Sequence, residues 1–156
     1  MQTPPGSGAN VAAELTPLFT SLVRAGSTEA DWRSLTSTQR LLVGELVDAG
    51  ALRLGALAER VGATDPTTSR AVDGLVAAGL VVRQPDPADR RAVLHEATAL
   101  GRARVEARRN EVAAILDAAL AGFAPNDRRR LVELLMKLNQ ELHAIHAPSP
   151  ALRAAG

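Results

Sequence analysis

Apolar residues return at helical spacing in six stretches of this chain and alternate with polar ones in only two short ones. Val11, Leu15, Leu18 and Leu22 mark a first helix over Val11–Arg24, with Pro17 an awkward residue inside it that predicts a kink or a restart. The polar linker AGSTEADWRSL follows. Thr36 and Gln39 then have the spacing of a capping box, ahead of a helix carrying Leu41, Leu42 and Leu46 and ended by Gly50. A third helix, roughly Leu54–Val61, buries Leu54, Leu57, Ala58 and Val61, and Gly62 supplies its C-terminal turn. A fourth opens at Thr64 or Asp65, with Pro66 in its first turn and an apolar face of Ala71, Val72, Leu75 and Val76 up to Gly79. Leu80–Gln84 and Ala92–Ala97 are strand candidates around the polar loop PDPADRR. Two long helices close the pattern, roughly Thr98–Gly122 and Pro125–Ile145. In the second of these Leu131, Leu135, Leu138, Leu142 and Ile145 step by four and three, a heptad seam. A helix of about 24 residues spans roughly 36 Å, more than a small domain needs inside itself, so this seam points to a second chain. Residues 1–10 and 146–156 are expected to be flexible ends.

The stretch from Gly62 to Arg91 carries the chemistry. It orders a helix, a tight turn, a second helix with hydroxyls and an arginine near its start, and a hairpin with adjacent arginines at its tip. A winged helix-turn-helix meets DNA in this way, one element in the major groove and another in the neighbouring minor groove. Thr64, Thr67, Thr68, Ser69 and Arg70 are the candidates on the recognition helix. Hydroxyls there can bond phosphates or base edges, the helix N-terminus favours an anion, and an arginine can grip guanine in bidentate fashion. Asp65 argues against this unless it is engaged as the cap. At the hairpin, Arg90 and Arg91 suit the negative potential of a narrow minor groove, and Asp86 or Asp89 can hold a guanidinium in place. On its own a loop of local ion pairs is the plainer reading of those residues; beside the recognition helix, the DNA reading prevails.

The residues Ser69-Arg70, Leu80-Val81, Asp86-Pro87, Asp89-Arg90-Arg91 and Thr98 to Gly101, in this order and spacing, resemble the MarR family of bacterial regulators, and the similarity runs from about Thr36 to Leu142. The resemblance implies a mainly α fold with a small β-wing. In it a winged helix-turn-helix region over 36–98 is flanked by dimerisation helices at 11–35 and 99–145. It implies a homodimer on a pseudo-palindromic operator, commonly a repressor released by a small aromatic or phenolic ligand bound between the dimerisation and DNA-binding regions. It further implies that Asp89 braces the wing and that Arg90 or Arg91 enters the minor groove. Leu131, Leu135, Leu138 and Leu142 would then serve dimerisation. Phe19, Arg24, Trp32 and Arg33 are the ligand-binding candidates nearest the family's pocket.

Composition narrows the picture. The 156 residues hold 18 basic and 17 acidic side chains, so a DNA interface must come from a stripe of charge rather than from the total. No Cys is present, which excludes thiol sensing and cysteine metal sites. The aromatic residues are Phe19, Trp32 and Phe123 alone. Base-stacking platforms for single strands or RNA therefore cannot be built, and duplex DNA is the expected partner. The same scarcity leaves a phenol pocket few walls. No Gly-rich phosphate loop or GxSxG turn occurs, and no cofactor or metal is expected, so the chain is not read as an enzyme. With no signal-like N-terminus and no long apolar run, a cytoplasmic location is expected. Two alternatives stay open: a winged-helix adaptor for other proteins, and a DNA-binding protein that answers to no ligand. The sequence also leaves open which side of its strand His95 faces.

Overall fold

The computed structural model describes residues 7–24 and 30–146. The chain divides into two compact units, Met1–Ile115 and Leu116–Gly156. The first begins with α1 (Gly8–Arg24), which starts inside the stretch expected to be flexible and runs through Pro17 as a single helix. Of the flexible end expected at 146–156, His146 is the last residue of the final helix and 147–156 lie outside the described residues, as do the first six residues. Next come α2 (Ala30–Ser34), α3 (Ser37–Ala49), β1 (Leu52–Arg53), α4 (Leu54–Val61), α5 (Asp65–Ala77), β2 (Val81–Asp86), β3 (Asp89–Ala97) and α6 (Ala99–Ala119). The mainly helical fold with a small sheet is the expected one, but α2 and β1 were not anticipated. The sheet has three antiparallel strands in the order β1-β3-β2.

Local chemistry explains the joints. The capping box at the start of α3 is complete: Thr36 Oγ1 accepts from the Gln39 amide at 3.2 Å, and Gln39 Oε1 accepts from the Thr36 amide at 2.8 Å. Arg40 donates to the carbonyls of Trp32 and Arg33, both at 3.2 Å, and so closes the C-terminal end of α2 against α3. Gly62, at φ 66°, makes the left-handed turn between α4 and α5 that a side chain would disfavour. Leu42, Val43, Leu46, Leu57, Val72 and Leu75 form the centre of the core where α3, α4 and α5 meet.

The start of α6 is locked to the junction of α5 and β2. The Thr98 hydroxyl donates to the Gly79 carbonyl at 2.7 Å and accepts from the Gly101 amide at 3.0 Å, while the Thr98 amide bonds the Leu80 carbonyl at 3.0 Å. Gly101 is required because a Cβ there would overlap the Leu80 carbonyl oxygen. Gly101→Ala, although it improves helix propensity by about 1 kcal/mol, is therefore expected to lower stability by roughly 2 kcal/mol or more. Urea unfolding checks this, and an unchanged or higher midpoint would refute it. Further along, Arg109 makes a two-oxygen pair with Asp48 at 2.7 Å, and Arg108 donates to the Leu22 carbonyl at 3.2 Å, tying α6 to α3 and α1.

The second unit holds α7 (Pro125–His146). Arg128 donates to the carbonyls of Phe123 and Ala121, at 3.2 and 3.0 Å, and so fixes the turn before it. Leu131, Leu135, Leu138 and Leu142 are each 36–46% exposed.

Candidate nucleic-acid interface

The exposed face of α5 is set by its helical phase. Thr68, Val72 and Leu75 fall on one side at i, i+4 and i+7 and are completely buried; Thr67, Arg70 and Asp73 fall on the other and are exposed, and Thr64 is exposed at the helix start. The expectation for Thr68 is corrected: its hydroxyl packs inside the core, where no DNA atom can reach it. Ser69 is half-buried at the edge of the face. Thr64 is the N-cap residue, and its hydroxyl donates to Thr67 Oγ1 at 3.0 Å. Asp65 follows as the first helical residue rather than the cap, so the carboxylate that argued against DNA stays in the exposed first turn. Asp73, one turn beyond Arg70, is engaged in an ion pair with Arg83 of β2, which fastens the recognition helix to the base of the wing.

In the wing, β2 and β3 pair regularly from Val81↔Ala97 to Pro85↔Val93, and then the register jumps to Asp86↔Asp89. The turn is thus only Pro87-Ala88, and Arg90 and Arg91 stand just after it, in a bulge at the start of β3 rather than at the tip. A bulge re-aims side chains and sharpens the local twist. Both arginines are exposed. Among the described residues, no ion pair engages Arg70, Arg90 or Arg91.

The main brace of the wing is Asp86, with Asp89 in a lesser part. Asp86 is nearly buried: its Oδ1 accepts from the Ala88 amide at 2.8 Å, and its Oδ2 accepts from Arg53 Nε at 2.7 Å. The Ala88 amide and then the Arg53 guanidinium hold its carboxyl below the usual carboxylate range. Asp89 accepts from the Arg91 amide at 3.1 Å. Arg53 was missed from the sequence; β1 is only two residues long and its partner acid lies 33 positions away. His95, left open above, faces inward. Burial pushes its imidazole below the ordinary histidine range, and its Nδ1 has no hydrogen-bond partner among the described residues.

A cavity of about 310 Å³ lies in the same unit, lined by Trp32, Ser34, Leu35, Ala78, Leu80, Leu100 and Arg104. Of the expected ligand residues whose side chains are described, only Trp32 lines it. Phe19 is 70% exposed on α1, Arg33 is exposed on α2, and neither lines the cavity. The side chain of Arg24 lies outside the described residues. No described helix is long and apolar enough to cross a membrane.

Comparisons agree with this geometry. Residues 34–92 match the model of the MarR family. No curated protein matches the chain significantly. Among solved structures, RV1404 from Mycobacterium tuberculosis is similar, with 26% identity, 90% of this chain and 97% of that one covered, and a TM-score of 0.74. Bordetella bronchiseptica BpsR, described in a study of how 6-hydroxynicotinic acid regulates its DNA binding, is 26% identical over 89% of this chain and 97% of its own, with a TM-score of 0.62. A MarR-like transcriptional regulator from Thermotoga maritima shares the fold at 20% identity, 87% and 96% coverage and a TM-score of 0.69. Two of the similar structures, the Thermotoga maritima protein and SlyA, are described as transcriptional regulators.

Proposed function

We propose that the protein, whose residues 34–92 match the MarR family model, is a homodimeric, sequence-specific DNA-binding regulator, a repressor released by a small ligand. The observation that carries the reading is the exposed face of α5, with Thr64, Thr67 and Arg70, standing in one unit with a wing that offers Arg90 and Arg91 free of ion pairs among the described residues. The acids that would repel phosphate are partly neutralised, since Asp73 is paired with Arg83 and Asp86 with Arg53.

Dimerisation is supported by two exposed apolar faces. One is Val11, Leu15, Leu18, Phe19 and Val23 on α1; the other is the leucine seam of α7. Faces of this kind are rare on monomers. The ligand is supported by the cavity, whose lining of Trp32, Leu35, Ala78, Leu80 and Leu100 suits a flat, largely apolar molecule. BpsR responds to a small aromatic acid.

The test is fluorescence anisotropy with duplexes tiled across the region upstream of the protein's own gene, at several salt concentrations and with random duplex as competitor. Tight binding to one tile that survives the competitor is the expected result. Arg91→Ala should weaken that binding and lower the slope of log K against log salt by about one unit per half-site, roughly two for the dimer. Arg90→Ala run in parallel decides which arginine takes the groove. Absence of binding at low salt would favour a protein-interaction adaptor instead.

A further inference from the structure

We propose that Arg53 is the positioning residue of the wing: from β1 it reaches across the central strand β3, clasps the β2–β3 turn, and so presents Arg90 and Arg91 to DNA in one fixed arrangement. The proposal deepens the DNA-binding reading above and rests on it.

The geometry is specific. Arg53 pairs in register with Leu94 of β3, yet its guanidinium ends at the far side of that strand, where Nε and Nη2 converge on Asp86 Oδ2 at 2.7 and 2.6 Å. The same Nη2 lies 3.9 Å from Asp89 Oδ2. The two aspartates flank the turn, and each also holds a backbone amide: Ala88 on Asp86, Arg91 on Asp89. One guanidinium therefore ties the far edge of the sheet to the turn and to the backbone of a DNA-facing arginine. This clasp sits where the ladder is weakest, because the register jump leaves residues 90–92 without partners across β2. Bulged strands that lack such support lose their ladder bonds and sample several directions. Asp86 is nearly buried, whereas the Arg53 side chain is half-exposed. The clasp thus orders the turn without forming part of the core. Lysine could not substitute fully, since a planar fork is needed to meet Asp86 with two nitrogens while facing Asp89.

Two measurements on the full chain test this. The first needs no DNA: hydrogen exchange of the wing amides. Arg53→Met is expected to speed exchange at Ala88 and Arg91 and to leave α3 and α5 unchanged. Unaltered exchange at both wing amides would overturn the proposal whatever the protein binds. Asp86→Asn, which keeps an acceptor for the Ala88 amide but loses the charge pair, serves as a second variant should Arg53→Met fold poorly. It should speed exchange at Arg91 in the same way.

The second measurement is anisotropy on a duplex that the wild type binds tightly. Arg53→Met is expected to bind roughly ten-fold more weakly, the order of one lost arginine contact, with Arg53→Lys in between. In an Arg91→Ala, Arg90→Ala background the same change should cost less than about two-fold, because a residue acting through the wing has nothing left to position. A full ten-fold loss in that background would make Arg53 a direct DNA contact and overturn the proposal. Failure of the wild type to bind any duplex, with wing exchange accelerated as expected, would instead retire the DNA-binding reading and leave the clasp standing.

Discussion

Replacing Arg70 with alanine is expected to abolish sequence-specific binding while leaving weak, salt-sensitive binding to random duplex almost intact. Arg70 is the long basic side chain on the exposed face of α5, in its second turn and on the same side as Thr67. Its neighbour on that face, Asp73, is taken by Arg83 and so does not compete for the guanidinium. A bidentate arginine–guanine contact is worth about 1–3 kcal/mol against the wrong base. A dimer on a two-fold site makes it twice, so the expected loss is roughly 2–6 kcal/mol on the specific duplex. The wing arginines are untouched by this change, and the non-specific component is expected to rest on their contacts to the DNA backbone. The measurement is the ratio of affinities for a selected and a random duplex, for wild type and variant under identical salt. Equal weakening on both duplexes would mean that Arg70 touches the backbone and that the bases are read by other residues.

Helical phase and local chemistry made most of this interface legible before any coordinates. Thr36 and Gln39 announced the start of α3 and Gly62 the turn into α5; each is a short-range signal whose partner lies within a few residues. What escaped was long-range. Arg53 cannot be assigned to Asp86 without knowing that β1 pairs with β3, and a two-residue strand has no periodicity to read. The five-residue α2 is similarly too short to show a pattern, and Arg40 closes it from the next helix. Thr68 is a different case, because its position was legible and its chemistry misled. Its hydroxyl suggested a DNA contact, yet it shares a phase with Val72 and Leu75, and phase decides which way a helical side chain points. The start of β3 was misplaced because Asp89-Arg90-Arg91 reads as a polar loop, whereas the bulge brings those residues into the strand.

A net charge of +1 is enough for this arrangement because the charges are sorted rather than abundant. Many of the arginines are spent on structure: Arg40 on carbonyls, Arg53 on Asp86, Arg83 on Asp73, Arg109 on Asp48, Arg128 on the turn before α7. Arg70, Arg90 and Arg91 remain without ion pairs among the described residues, and all three stand on elements suited to meet DNA. A local field of this kind steers a polyanion better than the same charge spread evenly would.

Leu135→Asp is expected to convert the proposed dimer into a monomer and, with it, to reduce operator affinity to that of a single half-site. Leu135 lies in the middle of α7 and is 46% exposed in the single chain, so a carboxylate there is hydrated in the monomer and does not disturb a core. In a dimer the same position would sit within the seam formed by Leu131, Leu138 and Leu142, and a buried, unpaired carboxylate costs several kcal/mol. Both copies carry the change, which brings two like charges towards one another across a two-fold axis. Loss of the dimer matters for DNA because the second half-site is then no longer bound intramolecularly, an advantage on the order of 10²- to 10⁴-fold. Light scattering on the purified variant gives the mass, and circular dichroism confirms that the helices persist. A variant that remains dimeric would move the interface to the apolar face of α1, where Leu15→Asp or Leu18→Asp becomes the decisive substitution. A monomer that still binds the full site as tightly as wild type would separate dimerisation from operator recognition altogether.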